Sequence, residues 1–169
     1  MFNVVLYEPE IPQNTGNIMR TCAAFDIKLH LIEPLGFELD EKHLKRAGMD
    51  YRDFLDLTIY QNFETFKEKN KGRYVCFSRY GLKNFGECDL KEKNDEDIYL
   101  LFGKESTGIP RDILRDYLDD TYRFPMIKEA RSLNLSNCVA IAAFELVKQN
   151  GFPHLSLNEV IKGKDWILK

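Results

Sequence analysis

The segment with the clearest chemical signal is residues 14–20, which read NTGNIMR. Pro12 and Asn14 predict a turn and the cap of a helix, and Arg20 follows within two turns of that start. The start of a helix suits an anion, because its backbone amides have no partner inside the helix. A guanidinium suits a phosphate or an oxygen that becomes negative during a reaction. The segment therefore predicts phosphate recognition or oxygen activation, with Arg20 carrying the charge.

A second segment, residues 101–110 (LFGKESTGIP), places two glycines after an apolar stretch. The glycines have the spacing of a phosphate-binding loop. That motif needs Lys followed by Ser or Thr where this chain has Ile109 and Pro110, which argues against a P-loop nucleotide hydrolase. Gly103 can instead present bare backbone to a ligand, and Pro110 can open the next helix. The segment indicates a loop that binds a ligand through its backbone.

A third segment, residues 124–137 (FPMIKEARSLNLSN), crowds polar residues in front of a strongly apolar helix. Helix capping accounts for one Ser or Asn. Four of them between 132 and 137 indicate that side chains or amides here hold a ligand. The chain contains no G-x-G-x-x-G, so a Rossmann dinucleotide or Rossmann-type methyltransferase site has no support.

The predicted elements place the three segments at one edge of a sheet. Strands are predicted at 2–7, 28–32, 73–78, 98–102 and 121–124, and helices from 14, at 40–46, at 64–70 and at 135–149. This alternation predicts a single α/β domain over residues 1–169, with a mostly parallel sheet and helices on both faces. Ligands of such sheets bind beyond the carboxyl ends of the strands, and each segment follows a predicted strand. A composite ligand site is expected there.

Composition limits the partners. The net charge of −3 argues against a protein coated in basic residues, so any RNA site must be a local patch. Candidates for that patch are Arg20, Lys42, Lys45, Arg46, Lys104, Arg111, Lys128, Arg131, Lys162, Lys164 and Lys169.

Histidines and cysteines are scattered without metal-ligand spacing, which predicts no metal and mostly buried, reduced thiols. No secretory signal is visible, and the longest apolar runs fall far short of the roughly 20 residues that a membrane span needs. We therefore expect a cytosolic protein that does not enter a membrane.

The helix predicted at 135–149 is apolar nearly all round, because Cys138, Ile141 and Phe144 lie outside its main apolar face. Such a helix must be buried on more than one side. A second subunit would supply the additional cover, and a central position in a monomer is the alternative.

Taken together, the three segments resemble the motifs of the SPOUT, or α/β-knot, methyltransferases: N-x-G-N-x-x-R, F-G-x-E-x-x-G-x-P and P-M-x-x-x-x-R-S-x-N-L-S-N. Further stretches at 7–12 (YEPEIP), 30–37 (HLIEPLGF) and 46–51 (RAGMDY) are similar to the small, single-domain tRNA wobble 2′-O-methyltransferases. The resemblance runs from the first strand to the end of the long helix and leaves 151–169 unassigned.

The resemblance implies a C-terminal trefoil knot, a homodimer, and methyl transfer from S-adenosyl-L-methionine to the ribose 2′-OH of the wobble cytidine or uridine in a tRNA anticodon loop. It makes Arg20 catalytic, with Asn14 and Asn134 organising the site, and it assigns RNA contacts to Arg20 and Arg131. Glu105 would offset positive charge near the sulfonium. The implied cofactor contacts are Phe77, Gly103, Phe124, Met126, Ser132 and Leu133.

Three positions depart from the family pattern: Gln13, Phe77 and Phe144. Phe144 stands where the resemblance implies a tyrosine, so a hydrogen bond from that position to RNA is lost. Two alternative functions stay open, namely the same chemistry on another RNA such as ribosomal RNA, and a non-catalytic RNA-binding module.

Overall fold

A parallel sheet forms the centre of the molecule. The computed structural model describes residues 1–39 and 54–169, and in these ranges seven strands join in the order β3-β2-β1-β6-β4-β7-β5. Every neighbouring pair is parallel, so the predicted parallel α/β sheet is confirmed. The strands are β1 (Phe2–Tyr7), β2 (Lys28–Ile32), β3 (Leu57–Tyr60), β4 (Arg73–Phe77), β5 (Lys83–Asn84), β6 (Ile98–Phe102) and β7 (Thr121–Arg123).

The central strands are the ones that the sequence predicted well. Val4 of β1 pairs in register with Leu29 of β2 and with Leu100 of β6, and all three side chains are fully buried. Near-continuous apolar runs are typical of parallel strands covered on both faces. The two strands missed by the sequence reading, β3 and β5, are the edges of the sheet. They lack such a buried run, since two of the four residues of β3 and both residues of β5 are exposed.

The described helices are α1 (Pro12–Phe25), α2 (Phe63–Lys69), α3 (Arg111–Asp116) and α4 (Leu135–Gln149), with short 3₁₀ turns at Phe85–Glu87, Leu118–Asp120 and Trp166–Leu168. The prediction of Asn14 as the cap of α1 is wrong, because the helix begins at Pro12 with Ile11 before it, and Asn14 is buried in the first turn. Proline suits the first helical position, where its missing N–H is not needed. The helix predicted at 40–46 lies outside the described residues.

Helices cover both faces of the sheet. On one face α1 and α4 pack over an apolar core. On the other face α2 and α3 cover an aromatic cluster. The helix predicted at 64–70 is α2, and it is not simply a polar surface helix, because Phe63 and Phe66 are both buried. Their spacing of three places them on the same side of the helix, facing the sheet.

A neutral histidine lies in the aromatic cluster. His30 is buried, and its Nε2 lies 3.0 Å from the Asn3 Oδ1. The rings of Phe66, Tyr60 and Tyr99 surround it at centroid distances of 5.3 to 5.9 Å. Burial lowers the pKa of His30 to about 4, because the charged form would lose its hydration. The residue therefore serves packing.

Within residues 1–39 and 54–169, no helix is long and apolar enough to cross a membrane. In the same ranges, no group of three or more His, Cys, Asp or Glu side chains is arranged to hold a metal ion. Cys22, Cys76 and Cys88 are buried free thiols and Cys138 is partly buried, which confirms the prediction for the cysteines.

Candidate cofactor and RNA site

A cavity of about 730 Å³ opens at the carboxyl edge of the sheet. It is lined by the start of α1 and by the segments that follow β4, β6 and β7. The three segments singled out in the sequence therefore meet at one place. All six predicted cofactor contacts line the cavity, together with Asn14 and Asn134: Phe77, Gly103, Phe124, Met126, Ser132 and Leu133. Its volume suits a small-molecule ligand.

One wall of the cavity consists of aromatic rings. Phe77 stacks between Phe102 and Phe124, with centroid distances of 4.6 and 5.3 Å and interplanar angles of 5° and 17°. Phe85 meets Phe124 edge-on at 4.8 Å. Stacked and edge-to-face rings are favourable contacts in themselves and have few alternative rotamers. Phe77, which departs from the family pattern, is thus a fixed part of this wall.

The loop after β6 folds tightly back on itself. A Cβ on Gly103 would lie 2.0 Å from the carbonyl carbon of Gly108 and 2.1 Å from the Ile109 nitrogen. The Gly108 amide donates to the Lys104 carbonyl oxygen at 2.9 Å, which closes the loop. The sequence suggested that Gly103 exposes backbone to a ligand. The structure adds that the missing side chain allows the loop to close.

Glu105 connects this loop to the start of α1. Its carboxylate accepts hydrogen bonds from the backbone amides of Glu10 at 2.8 Å and Ile11 at 3.3 Å, and from Asn14 Nδ2 at 2.9 Å. Amides at a helix start have no intrahelical partner, and a carboxylate also stabilises the positive end of the helix dipole. Glu105 also lines the cavity, but its direct contacts are with α1. Its first role is to hold the helix that carries Arg20.

Asn14 and Asn134 continue this connection to the third segment. Asn134 Nδ2 donates to Asn14 Oδ1 at 3.0 Å. The Asn134 side-chain oxygen accepts from the Ser136 amide and hydroxyl, at 2.9 and 2.7 Å, and so caps α4. A chain of hydrogen bonds from Glu105 through Asn14 to Asn134 therefore joins all three segments. The two asparagines thus connect the start of α1 directly to the start of α4.

A second set of contacts fixes the loop after β6 from outside. Glu8 pairs with Lys104, and Glu10 accepts from the Ser106 amide and hydroxyl at 2.9 and 2.8 Å. Desolvation opposes ionisation of Glu8, but hydrogen bonds from Lys104 and Tyr7 outweigh it and lower the pKa of the carboxyl. Lys104, which the sequence analysis named as a candidate for RNA binding, is therefore paired with a carboxylate of its own chain.

The two arginines predicted to contact RNA are exposed. Neither Arg20 nor Arg131 is among the described residues that line the cavity. Arg20 lies six residues beyond Asn14 on α1, about 9 Å along the helix axis.

Sequence reasoning missed the part of the cavity formed after β4. Ser78, Arg79 and Tyr80 line it, and Gly81 follows. The available signal was a polar and aromatic turn ending in glycine directly after a buried strand. Such a turn in a parallel sheet belongs to the ligand-binding edge.

Fold and site together define an α/β domain with a parallel sheet and a composite small-molecule cavity at its carboxyl edge. The chain belongs to the SpoU rRNA Methylase family, whose model matches residues 1–144. Membership of this family, and the likeness to its solved structures, place the chain in the α/β-knot fold.

Relatives of known type cover most of the chain. A tRNA (cytidine(34)-2′-O)-methyltransferase from Saccharophagus degradans is 45% identical over 155 residues, which are 90% of this chain and 97% of the relative. A structure described as giving insights into the 2′-OH methylation of C/U34 on tRNA is 43% identical, with a TM-score of 0.79 over 88% of this chain and 95% of the other. An AdoMet-bound rRNA methyltransferase from Sinorhizobium meliloti is 25% identical, with a TM-score of 0.75 over 87% of this chain and 56% of the other.

Proposed function

We propose that this protein transfers a methyl group from S-adenosyl-L-methionine to the ribose 2′-OH of the wobble nucleotide, cytidine or uridine 34, of a tRNA. The observation that carries the proposal is the cavity at the carboxyl edge, where the three motif segments are joined through Glu105, Asn14 and Asn134. Relatives that match nearly the whole chain carry this activity in their names, which supports the same substrate here.

The lining of the cavity fits S-adenosyl-L-methionine. The aromatic wall of Phe77 and Phe124 offers apolar contact, and the backbone at Gly103 and Leu133 offers amides and carbonyls that can read an adenine edge. Ser132 adds a hydroxyl. When bound, the cofactor supplies a methyl group on a positively charged sulfur. Phe77, Gly103, Phe124, Met126, Ser132 and Leu133 are the residues that we assign to holding it.

Arg20 is the residue that we assign to the ribose. A guanidinium remains protonated at physiological pH, so it does not act as a general base. It orients the 2′-hydroxyl and stabilises negative charge that develops on that oxygen or on the adjoining phosphate. The hydroxyl proton passes to solvent when the oxygen takes the methyl group, and the demethylated cofactor leaves as a neutral thioether. Asn14 and Asn134 organise the start of α1, and Arg131 contacts the RNA from the segment after β7. Positioning of hydroxyl and methyl in line supplies much of the rate.

The deciding experiment is transfer of labelled methyl from S-adenosyl-L-methionine to total tRNA that lacks this modification. Nuclease digestion and mass mapping then locate the methyl group. A 2′-O-methyl at nucleotide 34 is expected. Transfer to ribosomal RNA alone would move the function to the first alternative, and binding of cofactor and RNA without transfer would favour a non-catalytic module.

Arg20→Ala tests the catalytic assignment. We expect loss of methyl transfer with the Kd for S-adenosyl-L-methionine nearly unchanged, because Arg20 lies outside the cavity lining. Arg115→Ala is a matched control, since Arg115 is also an exposed helical arginine but lies on α3. Wild-type turnover in Arg20→Ala would remove Arg20 from the mechanism.

We further propose that the protein acts as a homodimer through the outer side of α4. Val139, Ala142 and Leu146 face the core, while Ile141 and Phe144 are 46% and 48% exposed. These two side chains border an open groove of about 580 Å³ with Phe85 and Ala140. An exposed, largely apolar groove on a helix that is apolar nearly all round fits a self-complementary contact with a second copy.

Sedimentation of Phe144→Glu tests the dimer. We expect a dimer for the wild type and a monomer for Phe144→Glu. Leu118→Glu is the control, because Leu118 is similarly exposed but lies after α3, away from this groove. A monomeric wild type would contradict the proposal.

The proposed tRNA substrate also implies the cytosolic location predicted from the sequence.

A further inference from the structure

The turn after β4 is held rigidly against the next strand. The Ser78 amide donates to the Tyr122 carbonyl oxygen at 3.0 Å, and the Gly81 amide donates back to the Ser78 carbonyl oxygen at 3.0 Å. The Tyr80 amide lies 3.2 Å from the Ser78 hydroxyl oxygen, which accepts its proton. A Cβ on Gly81 would lie 2.4 Å from the Tyr122 carbonyl carbon, so only glycine fits at this position. The turn therefore presents its two remaining side chains from a fixed backbone.

Those two side chains are Arg79 and Tyr80, and both line the mouth of the cavity. Tyr80 is 72% exposed although it has a large apolar ring. The Arg79 guanidinium lies over that ring at 5.4 Å from its centroid, within the range of a cation–π contact. One face of the ring is thus covered by Arg79, and the ring still offers a large exposed surface.

The charge of Arg79 is available for a ligand. Two other cations at this end of the sheet are engaged, since Lys104 pairs with Glu8 and Lys83 with Asp119. Among residues 1–39 and 54–169, Arg79 forms no ion pair with a carboxylate. A cavity mouth with a fixed aromatic ring and an uncompensated guanidinium suits a group that has a flat face and a negative charge nearby.

We propose that Tyr80, backed by Arg79, is a stacking platform for the unpaired base next to the methylated nucleotide. This inference rests on the proposed function, because it assumes that an RNA loop enters the cavity mouth. Proteins that read single-stranded RNA stack unpaired bases on aromatic rings and guanidinium planes. The platform holds the loop so that the neighbouring ribose faces the cofactor cavity. Tyr80 is a positioning residue, and Arg79 adds contact with the adjoining phosphate.

Steady-state kinetics on unmodified tRNA test the platform. Stacking of one base accounts for roughly a tenfold to hundredfold effect on binding. We expect Tyr80→Ala to raise the KM for tRNA by about tenfold or more at nearly unchanged kcat. Tyr80→Phe should behave as the wild type, because the ring and not the hydroxyl carries the contact. Leu82→Ala is the matched control, since Leu82 is even more exposed and lies two residues further, outside the cavity lining.

The cofactor affinity separates the platform from a cover over the cofactor. In Tyr80→Ala the Kd for S-adenosyl-L-methionine should stay at the wild-type value. A Kd that rises as much as the KM for tRNA would overturn the proposal, as would an unchanged KM for tRNA. Arg79→Ala should reduce the salt dependence of tRNA binding by about one phosphate contact. An unchanged salt dependence would remove Arg79 from the platform.

A fluorescence measurement keeps the test independent of turnover. An anticodon stem-loop with 2-aminopurine beside nucleotide 34 should be quenched by wild-type protein and by Tyr80→Phe, but not by Tyr80→Ala. Failure of the proposed function is visible separately, as a wild-type protein that transfers no methyl to tRNA. Equal quenching by wild type and Tyr80→Ala would overturn the platform whatever the turnover.

Discussion

The two segments that face each other across the cavity are held in very different ways. The loop at 103–110 is closed by a backbone hydrogen bond and is pinned to the region around α1 through Glu105, Ser106 and Lys104. The segment at 124–134 has one internal backbone hydrogen bond, from the Ala130 amide to the Ile127 carbonyl oxygen at 3.1 Å, and its tie to α1 through Asn134. Ile127 and Leu133 are exposed.

This difference indicates a division of labour between the two segments. The loop at 103–110 is a prepared surface, already in its binding conformation, and the segment at 124–134 is an adaptable one. A loop that is already held by several hydrogen bonds needs little reorganisation when a ligand arrives, which lowers the entropic cost of binding. A segment with few internal bonds and exposed polar groups opens at low free energy, as ligand-binding segments commonly do. We expect the cofactor and the RNA to complete the hydrogen bonding of 124–134 and to leave 103–110 nearly as it is.

The largest effect is expected from Gly103→Ala. The added methyl would overlap the backbone of Gly108 and Ile109, which has little room to shift, so the free energy of unfolding should fall by about 3 kcal/mol or more. Binding of S-adenosyl-L-methionine should be lost with it. Urea unfolding and calorimetric titration measure both quantities.

Gly108→Ala is the matched control for that substitution. Gly108 has a positive φ of 74°, but its Cβ position meets no atom within 4 Å. The cost should be only the backbone strain of about 1 to 2 kcal/mol. Equal losses in the two variants would show that loop closure at Gly103 is not what holds the prepared surface.

Glu105→Gln should have the next largest effect. The amide cannot accept from Glu10, Ile11 and Asn14 together without placing its own N–H groups against donors, so the free energy of unfolding should fall by about 1 to 3 kcal/mol. Methyl transfer should fall as well, because α1 carries Arg20. Glu92→Gln is the control, since the Glu92 carboxylate pairs at the surface with the amino terminus. Wild-type stability of Glu105→Gln would make the pinned loop a weaker feature than its contacts suggest.

Hydrogen exchange with and without S-adenosyl-L-methionine tests the comparison directly. Saturating cofactor should slow exchange of amides in 124–134 by about tenfold or more, because binding selects the ordered form of this segment. The Ser106 and Gly108 amides should change much less, because they already donate hydrogen bonds in the free protein. Strong protection of 124–134 in the free protein would contradict the division of labour.

The smallest effect is expected from acid. Hydrogen bonds lower the pKa of both Glu8 and Glu10, so their contribution to the pinned loop is present above the ordinary carboxylate value of 4.5 and is lost as the pH falls through their folded values. Exchange in 103–110 should therefore rise relative to 124–134 below that range.

Global stability falls at higher pH, between pH 6.5 and about 4, because the unfolded chain protonates His30 while the folded protein keeps it neutral. The ratio between the two segments, not the absolute rate, is thus the quantity to follow.

A ratio that stays constant while Glu8 and Glu10 become protonated would show that these carboxylates do not pin the loop. Glu8→Gln provides the matching variant. Its ratio at neutral pH should shift part of the way towards that of the wild type in acid, since the pair with Lys104 is lost while Glu10 still holds Ser106.

The sequence by itself determined the centre of the sheet and the three segments that meet at the cavity. Apolar runs predicted β1, β2 and β6, because burial on both faces leaves only apolar side chains there. The six predicted cofactor contacts, Asn14 and Asn134 all reach the cavity, since segments after parallel strands must emerge at one edge. The resemblance supplied the individual cofactor contacts and their chemistry, which strand and helix patterns could not.

Only the tertiary structure decided what individual polar residues do. Asn14 is a buried link between segments rather than a cap, and Glu105 holds α1. The hydrogen bond between Asn14 and Glu105 spans 91 positions of the chain, and the one between Asn14 and Asn134 spans 120. The turn with Arg79 and Tyr80 became part of the site because β4 lies between β6 and β7 in the sheet. Sequence patterns report whether a side chain is buried, since burial follows local periodicity, but a hydrogen bond between distant segments depends on how the chain crosses the sheet.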